Sequence, residues 1–467
     1  MTVQIKRNSV IEAESDTSFT VYTTEKEENN VLEKISSFSD HESQINRSQK
    51  HTENQDDLIV VDKGYAWVIT AGGTAASVYI GFPTICVGII QDIYIKNGMF
   101  AGSDKTIQLT LIGSLLQALL IVCVVLSNVL YERLGPRNLS ILGTSLIFVG
   151  LLTTGEATKI WHFYLSLSIT VGIGIALMYG MCLRCVPQWF VQKRATSFGI
   201  QGSVPSLFGL VLPFIIIQVN NTLGHKWIFR ILGFIFLGAG SIAIAFMKDQ
   251  PTKKNKDSSK TKRSKNFDLD IWKNRNMIIW IIVSPLAISA RYVVYAFLPL
   301  CGTYLKLSGT QAAATVSVMS GAEFVGRIAL GILGDKIGHL NTNIISSFVC
   351  AIAILIIWML ANQFASLVGF SILCGFFGGA YTVLFPSVTS SIVSKEMYPS
   401  ALNAMMGTNV LTIVLPLVAS SLGTDSNSIG NDPFLLYKVV SGGIFALCGL
   451  LSCIIKFRMN RKIFAKI

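Results

Sequence analysis

The sequence predicts an all-α integral membrane protein, with twelve transmembrane helices arranged as two halves of six. Three observations carry this expectation. Charged residues make up only 14% of the 467-residue chain, against about a quarter in a soluble protein. Apolar residues make up 51% and fall in long unbroken runs, and a helix needs about 20 of them to cross the hydrocarbon. One strongly basic segment divides those runs six and six. A secreted disulfide scaffold, a fibrous protein and a mostly disordered chain are excluded, and an enzyme is not predicted.

Residues 1–61 are polar, carry both charge signs and have few aromatics, so they cannot offset the entropy of ordering and read as a disordered tail. The opening residues lack the apolar core of a signal peptide, so that tail is expected in the cytoplasm. The first half, 62–247, holds spans near 65–92, 107–130, 139–156, 160–186, 195–220 and 228–247. The linker 248–276 is rich in Lys and Arg. The second half, 277–456, holds spans near 277–305, 311–334, 342–362, 365–393, 401–423 and 435–456, and the tail 457–467 is basic again. Positive loops stay inside, so both termini and the linker are expected on the cytoplasmic side. The net charge of +12 arises from those loops, with no nucleic-acid partner implied. The linker either fixes orientation as a solvated strap or binds anionic lipid heads.

None of the nine cysteines lies in a polar loop, so they read as small buried apolar residues. Cys182 and Cys185 have metal or redox spacing but lack a second pair. No Walker loop, Rossmann fingerprint or zinc motif is present. No cofactor or metal is predicted; the lipid bilayer is the expected surrounding.

Two short charged turns occupy equivalent places in the halves: Arg133-Leu134-Gly135-Pro136-Arg137 after span 2, and Gly334-Asp335-Lys336-Ile337-Gly338 after span 8. Paired six-helix halves with matching turns are the pattern of parallel-repeat transporters, and the chain resembles the major facilitator superfamily. Within it, 62–456 resembles the monocarboxylate transporter family (solute carrier family 16). Asp62-Lys63-Gly64-Tyr65-Ala66-Trp67 is similar to that family's Asp-Gly-Gly-Trp-Gly-Trp opening of helix 1, departing at Lys63, Tyr65 and Ala66. An acidic residue there suits the dipole of that helix. Trp189 to Gly202, with the basic pair Lys193-Arg194, resembles the motif leading into helix 5. Glu323-Phe324-Val325-Gly326-Arg327 resembles the Asp-x-x-x-Arg of proton-coupled members, and Gly375 to Tyr381 is a looser match in helix 10. Thr84 stands where those members carry a helix 1 lysine, Glu323 replaces the Asp, and His225-Lys226-Trp227-Ile228 lacks the expected Arg. The resemblance implies a divergent member in the plasma membrane. For some members it also implies a single-span ancillary glycoprotein.

Ionisable residues deep in a span cost about 2.5–3.5 kcal/mol each on insertion scales, so they mark function or a structural pair. Glu323 and Arg327 are four apart and share one helix face. A carboxylate fits the guanidinium fork of Arg327, so an anionic substrate can exchange with Glu323, and a proton on Glu323 would free Arg327. The structural alternative is a permanent pair ordering helix 8. Arg291 in span 7 either adds positive potential to the cavity or snorkels and pairs. Arg184 is expected at an interface or gate. Phe82, Tyr295, Phe377 and Tyr381 are candidates for an aromatic wall, with packing as the alternative reading. Pro83 and Pro386 remove helix hydrogen bonds and are candidate kinks. Asp62, Trp67, Arg133, Arg137, Lys193, Arg194 and Asp335 are read as structural or gating positions.

The expected function is transport of a small organic anion, a monocarboxylate with proton symport as the resemblance implies. Two alternatives stay open: an uncoupled facilitator of aromatic amino acids or another amphipathic solute, and a non-transporting sensor or scaffold.

Overall fold

The computed structural model describes residues 62, 64–83, 94, 103–249, 268–394, 396–413 and 434–460. The tail 1–61, Thr84 and most of the remainder of span 1, the body of the basic linker, the end of span 11 and 461–467 lie outside the described residues. Every regular element among the described residues is helical.

The first half comprises α1 (Tyr65–Gly81), α2 (Ser103–Gly155), α3 (Ile160–Trp189), α4 (Arg194–Leu223) and α5 (His225–Phe246). The second comprises α6 (Arg275–Tyr304), α7 (Gly309–Ile337), α8 (His339–Trp358), α9 (Phe364–Ile392), α10 (Tyr398–Thr408) and α11 (Leu435–Met459). α2 holds two of the expected spans as two limbs. Only Gly135 leaves helical geometry (φ 74°, ψ 171°), and Pro136 comes directly after it. A positive φ is open to glycine at little cost, and proline is pre-set for the first turn of the next helix. The matching turn after α7 reverses at Gly338, φ 104°. Counting α2 twice, each of the twelve expected spans has a helix. Nine of the described helices are long and apolar enough to cross a membrane. α1 and α10, described over 17 and 11 residues, are not among them.

Lipid tails are as apolar as leucine, so close packing rather than hydrophobic collapse holds such helices together. Small residues provide it here. α2 and α3 meet through Gly143 and Gly174, and α7 and α9 through Gly326 and Gly375. The halves meet where α4 crosses α7 and where α10 meets the first limb of α2. At the first crossing a Cβ on Gly199 would lie 2.6 Å from the Arg327 carbonyl oxygen, and one on Gly331 2.6 Å from that of Ala195. Large apolar side chains such as Phe214, Phe234, Leu360 and Leu450 face outward, as lipid contact requires.

Candidate substrate-binding site

α6 and α7 each place charge at mid-length. Glu323 is the hub. Its Oε1 accepts from Arg291 Nη1 on α6 and from Arg327 Nη2 on α7, the latter at 2.5 Å; its Oε2 accepts from the Tyr295 hydroxyl at 2.5 Å. Glu323 and Arg327 are 4% and 6% exposed. Two guanidinium groups and one carboxylate leave one net positive charge. Arg327 also reaches across the seam, donating from Nη1 to the Gly202 carbonyl of α4. The Nε atoms of Arg291 and Arg327 are buried and find no partner among the described residues. α9 is interrupted at Gly379, and this break makes room for the pair: a Cβ there would lie 2.9 Å from Arg327 Cγ and 3.0 Å from Glu323 Cγ.

The cluster borders a cavity of about 240 Å³ between the halves. Among the described residues, all the charged ones that line it come from the second half. The first half contributes mainly Ile80, Leu120, Ile121 and Pro205, with Gln117, Tyr179 and Ser206 as polar groups. Gln117 on α2 donates across the seam to the Tyr292 hydroxyl at 3.4 Å.

Of the residues singled out in the sequence, Arg291, Tyr295, Glu323, Arg327 and Tyr381 line this cavity. Phe82 and Phe377 lie outside it. Phe82 is fully buried, edge-on to Phe236, and Phe377 packs against Phe376. The aromatic side of the cavity is formed instead by Tyr179, Tyr292, Tyr295, Tyr381 and Phe385. Gln117 and Tyr292 are additions from the structure. Gln117 does carry a signal in the sequence, as a lone polar residue in the apolar run Leu115-Leu116-Gln117-Ala118-Leu119-Leu120.

The motif residues gather at the end of the bundle that carries the two turns. Asp335 on α7 accepts from the backbone N–H groups of Ala195 (3.0 Å) and Thr196 (2.7 Å), from the Thr196 hydroxyl (2.6 Å), and pairs with His339 Nε2 at 3.1 Å. A carboxylate thus sits on the first N–H groups of α4, which have no partner within the helix, where the helix dipole favours it. Arg194 reaches Ser390 on α9, and Asn128 donates to Asn403 at 2.6 Å, both across the seam. Arg184 binds the Asn128 carbonyl and Glu132, each at 2.9 Å.

Asp62 serves a different helix from the one the sequence suggests. α1 begins at Tyr65, and Gly64 before it offers no side-chain cap. The Asp62 carboxylate instead accepts from the N–H groups of Val191, Gln192 and Lys193 ahead of α4. Its backbone, at φ 62° and bonded from its N–H to the Trp189 carbonyl at 3.1 Å, turns away from α1. Trp67 stands edge-on to Phe190 with Lys193 Nζ 6.0 Å over its ring. Arg133 and Arg137 are exposed at their turn, and Pro83 lies just past the end of α1, buried.

Known proteins share this organisation. The Major Facilitator Superfamily profile matches residues 68–416 and again 286–463. An "MFS-type transporter" of Gibberella moniliformis is 26% identical over 70% of this chain and 77% of its own length. The "Aspyridones efflux protein apdF" of Emericella nidulans is 26% identical over 83% of this chain and 77% of its own. Among solved structures, the Escherichia coli fucose:proton symporter FucP superposes with a TM-score of 0.65 at 12% identity, covering 84% of this chain and 100% of that one. The proton:xylose symporter XylE gives 0.63 at 14% identity, over 85% of this chain and 96% of that one. With its fold and most of its length matched, the chain belongs to the Major Facilitator Superfamily and is a membrane transporter, not an enzyme.

Proposed function

We propose that this transporter carries an organic monoanion across the membrane by alternating access, with a proton. One observation carries the reading: two arginines share a single carboxylate midway along α6 and α7, on the wall of a cavity between the halves. A substrate carboxylate replaces that of Glu323 on the guanidinium forks when Glu323 takes a proton. The cluster then holds one net positive charge both empty (two Arg⁺, Glu⁻) and loaded (two Arg⁺, neutral Glu, substrate⁻). Equal charge in the two forms means neither crosses the seam at an extra electrostatic cost. Glu323-x-x-x-Arg327 and the helix 5 motif support a monocarboxylate. The basic segments support a cytoplasmic turn end, and the resemblance to the monocarboxylate transporter family supports the plasma membrane. The hydrogen bonds of Asp335 and Asn128 then close the cytoplasmic side of the pathway.

A second reading is uncoupled efflux of a larger amphipathic solute. It is favoured by the aspyridones efflux relative and by Thr84, which cannot carry a positive charge.

The test is uptake of radiolabelled pyruvate, lactate and phenylacetate into proteoliposomes by wild type and Arg327→Ala. Saturable uptake that falls at least about tenfold in the variant, at equal reconstitution, supports the reading; unaltered transport of these anions by the variant overturns it. Loss of ~1.4 kcal/mol of binding corresponds to that factor, the lower end of what one charge-assisted pair contributes.

A further inference from the structure

We infer that the cavity selects an anion with a hydroxyl on its apolar body, away from its carboxylate, and that Gln117 is the residue that reads it. This rests on the organic-anion reading above and adds to it the chemistry of the other end of the substrate.

The two walls of the cavity differ. The second half supplies Arg291, Glu323 and Arg327, so the carboxylate docks there. The facing wall from the first half is largely Ile80, Leu120, Ile121 and Pro205, so the body of the substrate lies against it. Gln117 interrupts that apolar wall. One end of its carboxamide is engaged, Nε2 donating to Tyr292 at 3.4 Å. The other end, Oε1, is buried and has no hydrogen-bond partner among the described residues. A buried amide oxygen left unpaired forfeits its hydration with nothing in return, and that cost disappears when a ligand supplies the partner. A hydroxyl both donates and accepts, so it satisfies the carboxamide whichever of its two atoms faces the cavity. An unsubstituted body buries that amide against carbon and keeps the cost. The Tyr292 bond holds the carboxamide in place from across the seam, so Gln117 meets the substrate pre-oriented.

The experiment compares phenylacetate with 4-hydroxyphenylacetate, two anions that differ by one hydroxyl at the end opposite the carboxylate. Uptake of each into proteoliposomes, and their mutual competition, is measured for wild type and for Gln117→Met, which keeps the length of the side chain. Wild type is expected to favour 4-hydroxyphenylacetate about tenfold in kcat/KM, and Gln117→Met to bring the ratio to one or below. Competition in the wild type needs no variant, so a misfolded Gln117→Met leaves the selectivity measurable. Equal use of both anions by the wild type overturns the inference while leaving the anion reading intact, as does a preference that Gln117→Met retains. Uptake of neither anion overturns the inference, while the anion reading is decided separately by uptake of pyruvate and lactate.

Discussion

Replacing Asp335 by Asn should shift this transporter toward the state in which its turn ends are apart. The carboxylate makes three hydrogen bonds to the start of α4, two to backbone N–H groups at 3.0 and 2.7 Å and one to the Thr196 hydroxyl at 2.6 Å. α7 and α4 belong to different halves, so these bonds exist only while the ends are together. An acidic group at a partly buried helix start contributes up to about 2 kcal/mol. Asn keeps the shape and one acceptor but loses the charge, so most of that is lost. At about 1.4 kcal/mol per factor of ten, the ratio of open to closed turn ends should rise about tenfold. Arg133 and Lys336 are exposed at this end on opposite halves and suit spin labels on introduced cysteines. Distances between them in nanodiscs, measured by pulsed electron resonance, should lengthen in Asp335→Asn. A distance distribution identical to that of the parent protein would show that these bonds do not hold the ends together.

Three further outcomes are expected. Glu323→Gln removes the titrating carboxylate from between two guanidinium groups, so net uptake should lose its response to an inward proton gradient while exchange of anion for anion persists; flux assays in both modes separate these. Gly379→Ala puts a methyl 2.9–3.0 Å from the stems of Arg327 and Glu323, which should raise KM about tenfold with little change in the amount of folded protein by size-exclusion chromatography. At the opposite end from the turns, the Glu156 carboxyl is held below the usual range by its hydrogen bonds to Lys226 and Arg230. A depressed carboxyl stabilises above its unfolded value, near 4.3, and loses that contribution as pH falls through its folded one. Any Tm deficit of Glu156→Gln at pH 7 should therefore shrink as the pH is lowered below about 4, and since the group is exposed the deficit should be small.

The architecture is legible in the sequence because the bilayer imposes a length and a polarity on every element, and few soluble folds imitate them. Glu323, Arg327 and Arg291 are legible for the same reason: charge inside an apolar run is costly and needs a partner. Which partner is legible only for the pair four apart on one helix. The bond from Arg291 to Glu323 joins α6 to α7, and that from Arg327 to Gly202 joins residues 125 apart in sequence. Nothing local encodes either. Phe82 and Phe377 are candidates for the cavity wall because they are aromatic, yet a membrane helix has neighbours on several sides, and composition does not say which side an aromatic faces. Phe82 faces Phe236 and Phe377 faces Phe376. Asp62 carries a correct signal, an acid suited to a helix start, but the helix start it serves is reached through the fold rather than along the chain.

If one anion crosses with one proton, the cluster keeps a single net positive charge throughout the cycle. Recording charge and flux together decides this: uptake of a transported anion into proteoliposomes on a solid-supported membrane, with a pH gradient imposed and the current read simultaneously. Electroneutral symport predicts uptake accelerated by the inward proton gradient with no accompanying steady current. Uptake indifferent to the gradient and accompanied by a current of negative charge would contradict it, and would make the protein an anion uniporter in which Glu323 only orders the two arginines.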